Sequence, residues 1–207
     1  MKYTGPACRL CRKEGEKLFL KGDKCTSQKC PLLKKNYPPG MHGNKGSFKK
    51  QSEFSKQLRN KQKAKRMFGM TERAFRRFYE MAAKAKGVTG ENILRFLELR
   101  LDNAVYRSGF GASRAQSRQL CGHGLIKLNG RKCRIPSRIV KLNDVITINR
   151  KTKGVKIFDG LEKQKDMSPK WLKVDLKKGE SVVAFMPEKD DLESSIDGQL
   201  IVEAYSK

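Results

Sequence analysis

Two close cysteine pairs stand near the N-terminus, Cys8-Arg-Leu-Cys11 and Cys25-Thr-Ser-Gln-Lys-Cys30, separated by 13 residues. Four thiolates in two pairs suit a tetrahedral Zn2+ site, in which each pair forms a loop whose backbone N–H groups also point at sulfur. Arg9, Arg12, Lys24 and Lys29 crowd both pairs. Positive charge there favours the thiolate form that binds metal. The ligand set expected is Cys8, Cys11, Cys25 and Cys30, in a structural role, because a closed four-sulfur shell leaves no open coordination position. Spacing alone does not separate zinc from an iron–sulfur cluster, or from four reduced, unligated thiols. Cys121 and Cys133 lack metal-like spacing and read as small buried hydrophobes.

The second chemistry is cationic. The 207-residue chain holds 47 Lys plus Arg against 21 Asp plus Glu, a net charge of +26. Residues 1–90 hold 24 basic and 6 acidic side chains, residues 91–150 hold 12 and 4, and residues 151–207 hold 11 of each. The whole surplus therefore lies on the first two segments. Such a surplus repels itself unless a polyanion relieves it, and each phosphate neutralised also releases condensed counterions. Nucleic acid is the expected partner. A membrane is not, since no apolar run approaches ~20 residues. The start, Met1-Lys2-Tyr3-Thr4-Gly5-Pro6, lacks the apolar core of a signal peptide. A reducing cytoplasm is expected, and there six cysteines point to metal rather than disulfides.

The elements that must carry these residues divide the chain into three. Residues 1–44 form the cysteine arm, which ends in the Tyr37-Pro38-Pro39-Gly40-Met41-His42-Gly43 turn. Residues 45–97 form a helical domain. Its first helix is predicted from Ser47 to Phe68, with a thin apolar face of Phe48, Phe54, Leu58, Met67 and Phe68. It bears Lys49, Lys50, Lys56, Arg59, Lys61, Lys63, Lys65 and Arg66 against one acid, Glu53. Like charges at i,i+4 weaken a lone helix, so these are candidate RNA contacts. Thr71 caps a second helix, where Phe75, Phe78, Tyr79, Ala82 and Ala83 share one core-facing stripe. Arg73, Arg76 and Arg77 lie off that stripe and can reach phosphate. Thr89 caps a third helix, burying Ile93, Leu94, Leu97 and Leu101.

Residues 98–195 form the third part. Ser113 with Gln116 has capping-box spacing ahead of a helix over Arg114 to Cys121. A strand over 125–128, an Asn129-Gly130 turn and a return over 132–135 make a hairpin, and 144–149 makes a further strand. Arg107, Arg114, Arg118, Arg131 and Lys132 decorate this helix-pair-plus-sheet module as candidate RNA contacts. Asp102 and Asp144 suit capping or turn roles, and Trp171 suits packing under the sheet. The chain loosens over 151–160, extends over 169–175, turns at 178–180 and makes a strand over 181–186. An acidic linker at 187–191 leads to a tail helix over 196–205 that returns to the first helical segment. The fold class expected is α+β: a zinc knuckle and helical domain with an inserted helix-pair and small antiparallel sheet module.

The runs RLDNAVYRSGF, SRAQSRQL, HGLIKLNGR and IPSRIVK, with YPPGMHG in the arm, resemble the ribosomal protein S4 family of the small subunit. The likeness extends over essentially the whole chain, and the four cysteines match the zinc-bearing members. The resemblance implies direct binding to small-subunit ribosomal RNA, nucleation of 5′-domain assembly, contact with neighbouring small-subunit proteins and an influence on translational accuracy. Some members repress their own message, which adds mRNA to the expected partners. A pseudouridine synthase with a similar module is the rival reading. It needs a separate catalytic domain, and no such length remains here. No phosphate-loop or nucleophile-elbow pattern is present either. No catalytic residue and no small-molecule substrate are expected.

Overall fold

The computed structural model describes residues 3–45, 52–149, 158 and 168–206. The chain forms two compact units, one of Met1–Ile93 with Ser194–Lys207 and one of Leu94–Glu193. The expected contacts Lys49 and Lys50 lie outside the described residues, as does the loosened stretch over 151–160 apart from Phe158.

The first unit is helical. Its cysteine arm carries α1 (Ala7–Glu14), α2 (Asp23–Thr26) and α3 (Pro31–Lys34), followed by a 3-10 turn over Gly43–Lys45. Cys8 and Cys11 thus sit on a helix rather than in the expected loop. Helix α4 spans Glu53–Met67, and its N-cap is Ser52, whose hydroxyl accepts from the Ser55 N–H at 3.3 Å. Ser52 is extended at ψ 155°, so the predicted helix does not run through it; its first predicted residues, 47–51, lie outside the described residues. Phe54 is exposed and not part of an apolar face. Helix α5 (Glu72–Lys84) is capped by Thr71, as expected, and buries Phe75, Phe78 and Ala82, while Ala83 faces water. Ala83 falls at the edge of the stripe, where one more residue's rotation turns a side chain outwards.

Helix α9 (Gly198–Tyr205) is capped by Asp197, which accepts from the Gln199 N–H at 2.8 Å, and it packs against α4. The predicted return of the tail to the first helical segment is therefore observed. A Cβ at Gly198 would stand 2.3 Å from the Gly90 carbonyl oxygen, and one at Gly90 would stand 2.8 Å from the Gly198 carbonyl carbon. Both positions need glycine because two backbones touch there. Tyr205 stacks on Tyr79 with ring centroids 4.6 Å apart. Helix α6 spans Thr89–Glu98. Thr89 is its first residue rather than its cap, and Ile93, Leu94 and Leu97 are buried as predicted.

In the second unit α7 (Leu101–Arg107) begins after Arg100 turns extended, and α8 spans Arg114–Gly122. Ser113 caps α8 as predicted, accepting from the Gln116 N–H at 3.3 Å. The reciprocal half of the box is displaced by one residue, since Gln116 Oε1 accepts from the Ala112 N–H at 2.7 Å. The sheet has five strands: β1 (Ile126–Leu128), β2 (Arg131–Lys132), β3 (Val145–Ile148), β4 (Leu172–Asp175) and β5 (Glu180–Val183). They run in the order β2-β1-β3-β5-β4, all pairs antiparallel. Asn129 at φ 50° and Gly130 at φ 78° make the predicted hairpin turn. The core beneath the sheet gathers Leu101, Val105, Phe110, Leu120, Ile126, Ile146 and Trp171, with Trp171 packed inside as expected. Cys121 belongs to the same core, and burial pushes its thiol up to about 12. Mixed helices with a small antiparallel sheet are the observed class.

Candidate nucleic-acid interface

The cationic residues fall into three settings. On α4 most are tied to acids of the same unit. Glu14, almost fully buried, accepts from Arg66, and Arg59 Nη1 stands 3.5 Å from the same oxygen without a hydrogen bond. Lys63 pairs with Glu16. Lys61 and Lys65 donate to the two oxygens of Glu72 at 3.1 and 3.0 Å, and Tyr205 Oη adds a third hydrogen bond at 2.9 Å. Burial works to raise the Glu72 pKa. The bonds from Lys65, Tyr205 and Lys61 outweigh it and bring the carboxyl down to about 2. The same contact, with burial leading, raises Tyr205. Lys56 pairs with exposed Glu53 at 2.7 Å.

A second group is built into the second unit. Arg107 donates to Glu98 at 3.0 and 2.9 Å and to Glu193 at 3.3 Å. Burial opposes its charge, but Glu98 prevails and holds the guanidinium more firmly protonated than usual. Arg114 is nearly buried; it donates to Asn103 Oδ1 at 2.8 Å and to Glu193 at 3.0 Å, and lies over the Tyr106 ring. Asn103 in turn donates to Glu98 Oε2 at 2.6 Å. Arg118 is partly exposed and donates to Asp102 Oδ2 at 3.1 Å. Asp102 also receives buried Arg100 through two bonds, at 3.0 and 2.7 Å. Asp144 has a turn role, accepting from the Lys141 N–H and from Asn129, each at 2.8 Å. The His123 backbone ends α8 through a bond to the Gln119 carbonyl at 2.9 Å.

The third group is exposed. Arg73, Arg77, Arg131 and Lys132 have no ion-pair partner among the described residues, and Arg76 shares only a water-exposed pair with Glu80 at 3.3 Å. Arg131 and Lys132 sit at the hairpin tip. Lys132 stands directly opposite Lys127 across the strand pair, where like charges repel unless an anion lies between them.

Sequence reading missed Glu98, Asn103, Glu193 and Glu14, the residues that decide which cations are free. Only Glu98 carried any signal, as an acid amid an otherwise apolar helical face.

The four N-terminal cysteines are free thiols. Cys11, Cys25 and Cys30 are buried and Cys8 half-buried. Burial first, and then the nearby Cys25, Cys8 and Cys30, raises the Cys11 pKa against a backbone bond from Leu18. The Lys21 N–H donates to Cys25 Sγ at 3.3 Å. The chemistry of the donor set fits a soft, thiolate-binding metal. Yet among the described residues no group of three or more His, Cys, Asp or Glu side chains is arranged to hold one.

Residues 2–98 match the family pattern "Ribosomal protein S4/S9 N-terminal domain", and residues 99–146 match the "S4 domain". Helical unit and sheet module thus both have the pattern of S4-type ribosomal proteins. The chain is 50% identical to small ribosomal subunit protein uS4A of Alkaliphilus oremlandii, over 100% of its own length and 99% of the relative's. It is 49% identical to protein uS4 of Caldicellulosiruptor bescii and 48% identical to protein uS4A of Symbiobacterium thermophilum, with the same coverage. The chain belongs to the uS4 family of small ribosomal subunit proteins, a structural and non-enzymatic family. No helix among the described residues is long and apolar enough to cross a membrane.

Proposed function

We propose that this chain binds small-subunit ribosomal RNA directly, within the cytoplasmic ribosome, beside neighbouring small-subunit proteins. It nucleates assembly of the 5′ domain and, with a neighbouring protein, influences translational accuracy; its own mRNA is a further RNA partner. The observation that carries the reading is the exposed cations, Arg73 and Arg77 on the helical unit and Arg131 and Lys132 on the sheet unit, which have no ion-pair partner among the described residues. A-form RNA hides its base edges in a deep major groove, so such cations meet phosphates and 2′-OH groups. Lys49, Lys50, Lys56 and Arg76 join them. The paired cations Arg59, Lys61, Lys63, Lys65 and Arg66 contribute through field rather than first contact, and Arg107 and Arg114 chiefly hold the module together.

The test is equilibrium binding to a 5′-domain transcript of small-subunit ribosomal RNA, with excess tRNA as competitor, across a salt series. Binding that survives competitor, with log K falling by several units per decade of salt, is expected. Loss of all binding to competitor would leave only a generic polycation.

Cys8, Cys11, Cys25 and Cys30 are the ligand set for one structural Zn2+, a reading supported by the soft-donor chemistry of two close cysteine pairs. Native mass spectrometry is expected to show one zinc per chain, lost on substitution of Cys25. Visible absorption with bound iron would point instead to an iron–sulfur cluster.

A further inference from the structure

Arg114 and Arg118 lie one turn apart on α8, yet they are held in opposite ways. Arg114 is 9% exposed and bonded to both Asn103 and Glu193. The Arg118 side chain is 34% exposed and has one bond, from Nη1 to Asp102 Oδ2 at 3.1 Å. A guanidinium carries five N–H donors, so most of Arg118's remain open to an incoming anion. Asp102 itself is fixed: its side chain is 6% exposed, and Arg100, at 2%, grips both carboxylate oxygens, at 3.0 and 2.7 Å. Arg100 is anchored in turn by its backbone, whose strand-like bridge to Ile139 and the neighbouring Leu101 N–H bond to the Arg138 carbonyl at 2.8 Å tie it to a second segment.

A buried carboxylate this close to a phosphate-binding surface has an electrostatic penalty, because it repels the ligand. Its retention in that place therefore needs a compensating geometric role. We infer that Asp102 is a positioning residue for RNA: braced by Arg100, it fixes the Arg118 guanidinium so that its free edge meets a backbone phosphate. An arginine pre-set in this way loses less rotamer freedom on binding than one free in water. The inference rests on the RNA-binding reading above.

The test is a double-mutant cycle on the full chain, with affinity for the 5′-domain transcript measured under tRNA competition across a salt series. The variants are D102N, R118Q and the pair. D102E is a fourth variant, retaining a counter-charge for Arg100 while moving the carboxylate by one methylene, and it keeps the test open if D102N does not fold. Positioning predicts that D102E and D102N each weaken binding about tenfold, the size of one charge-assisted hydrogen bond. It predicts a salt slope reduced by about one unit. It predicts little further loss when D102N is combined with R118Q. A purely electrostatic Asp102 would make D102N bind more tightly, and a merely structural one would weaken R118Q and wild type by the same factor. Either result overturns the inference while leaving the RNA reading intact. Loss of all wild-type binding to competitor would instead defeat the RNA reading, and the inference with it.

Discussion

In the helical unit, Lys61 and Lys65 share Glu72, and Lys63 meets Glu16; both acids are about half exposed. In the sheet unit, Arg107 meets Glu98 and Arg100 meets Asp102, and both of those acids are buried. The cations look alike in sequence; the carboxylates differ. When an exposed carboxylate is lost, its lysines turn to water. When a buried one is lost, an arginine stays behind in a low-dielectric setting with its strongest counter-charge gone. The helical unit can therefore exchange its exposed acids, Glu16 and Glu72, for phosphate with little structural consequence, whereas the sheet unit needs Glu98 and Asp102 to remain folded. A count of basic residues is thus a poor count of RNA contacts.

The largest expected effect follows from Glu98. Replacing Glu98 with Ala leaves Arg107 with Glu193 as its remaining acid and removes a partner of Asn103, and should destabilise the sheet unit by about 3 kcal/mol. Urea unfolding followed by circular dichroism reads this directly, and a change below about 1 kcal/mol would erase the contrast between the units. Glu14 is the sharper probe, as an acid with a buried side chain facing α4. Glu14→Ala should lower stability by about 1–3 kcal/mol, whereas Glu16→Ala should stay within about 0.5 kcal/mol. Equal losses at both positions would mean that burial of the acid is not what matters.

Arg73→Gln and Arg131→Gln are expected to leave the thermal midpoint in place while each reduces the salt slope of RNA binding by about one unit. A fall in Tm at either position would give it a structural duty that the exposed setting does not suggest. The smallest effect concerns pH. Glu72 is held at about 2 against an ordinary 4.5, so its stabilisation is complete above about 4.5 and fades as pH falls towards 2. Because the carboxylate is half exposed, screening keeps that contribution to a few tenths of a kcal/mol, up to ~1. Tyr205→Phe removes one of its hydrogen bonds, and carbon-detected NMR titration should then find the Glu72 pKa raised.

Local signals were legible in the sequence wherever a short-range rule governs. Ser113, Thr71 and the Asn129-Gly130 turn were found because a cap or a tight turn is decided by residues within three or four positions. The helical stripe of Phe75, Phe78 and Ala82 was found because its period is that of the helix itself. The cap of α4 at Ser52 was missed, since the run of basic residues was read as continuous from Ser47. The helix under Cys8 and Cys11 was missed too, because the pair spacing suggested a metal-binding loop.

Composition and order of residues alone determined that the chain is a polycation with its surplus in the first 150 positions, that it carries two paired cysteine sets, and that its motifs are of the S4 type. Which cations are free was decided only by tertiary structure. Glu193 lies 79 positions from Arg114, and Glu14 lies 52 from Arg66. The energy of an ion pair depends on distance and burial, and neither is set until the chain has folded.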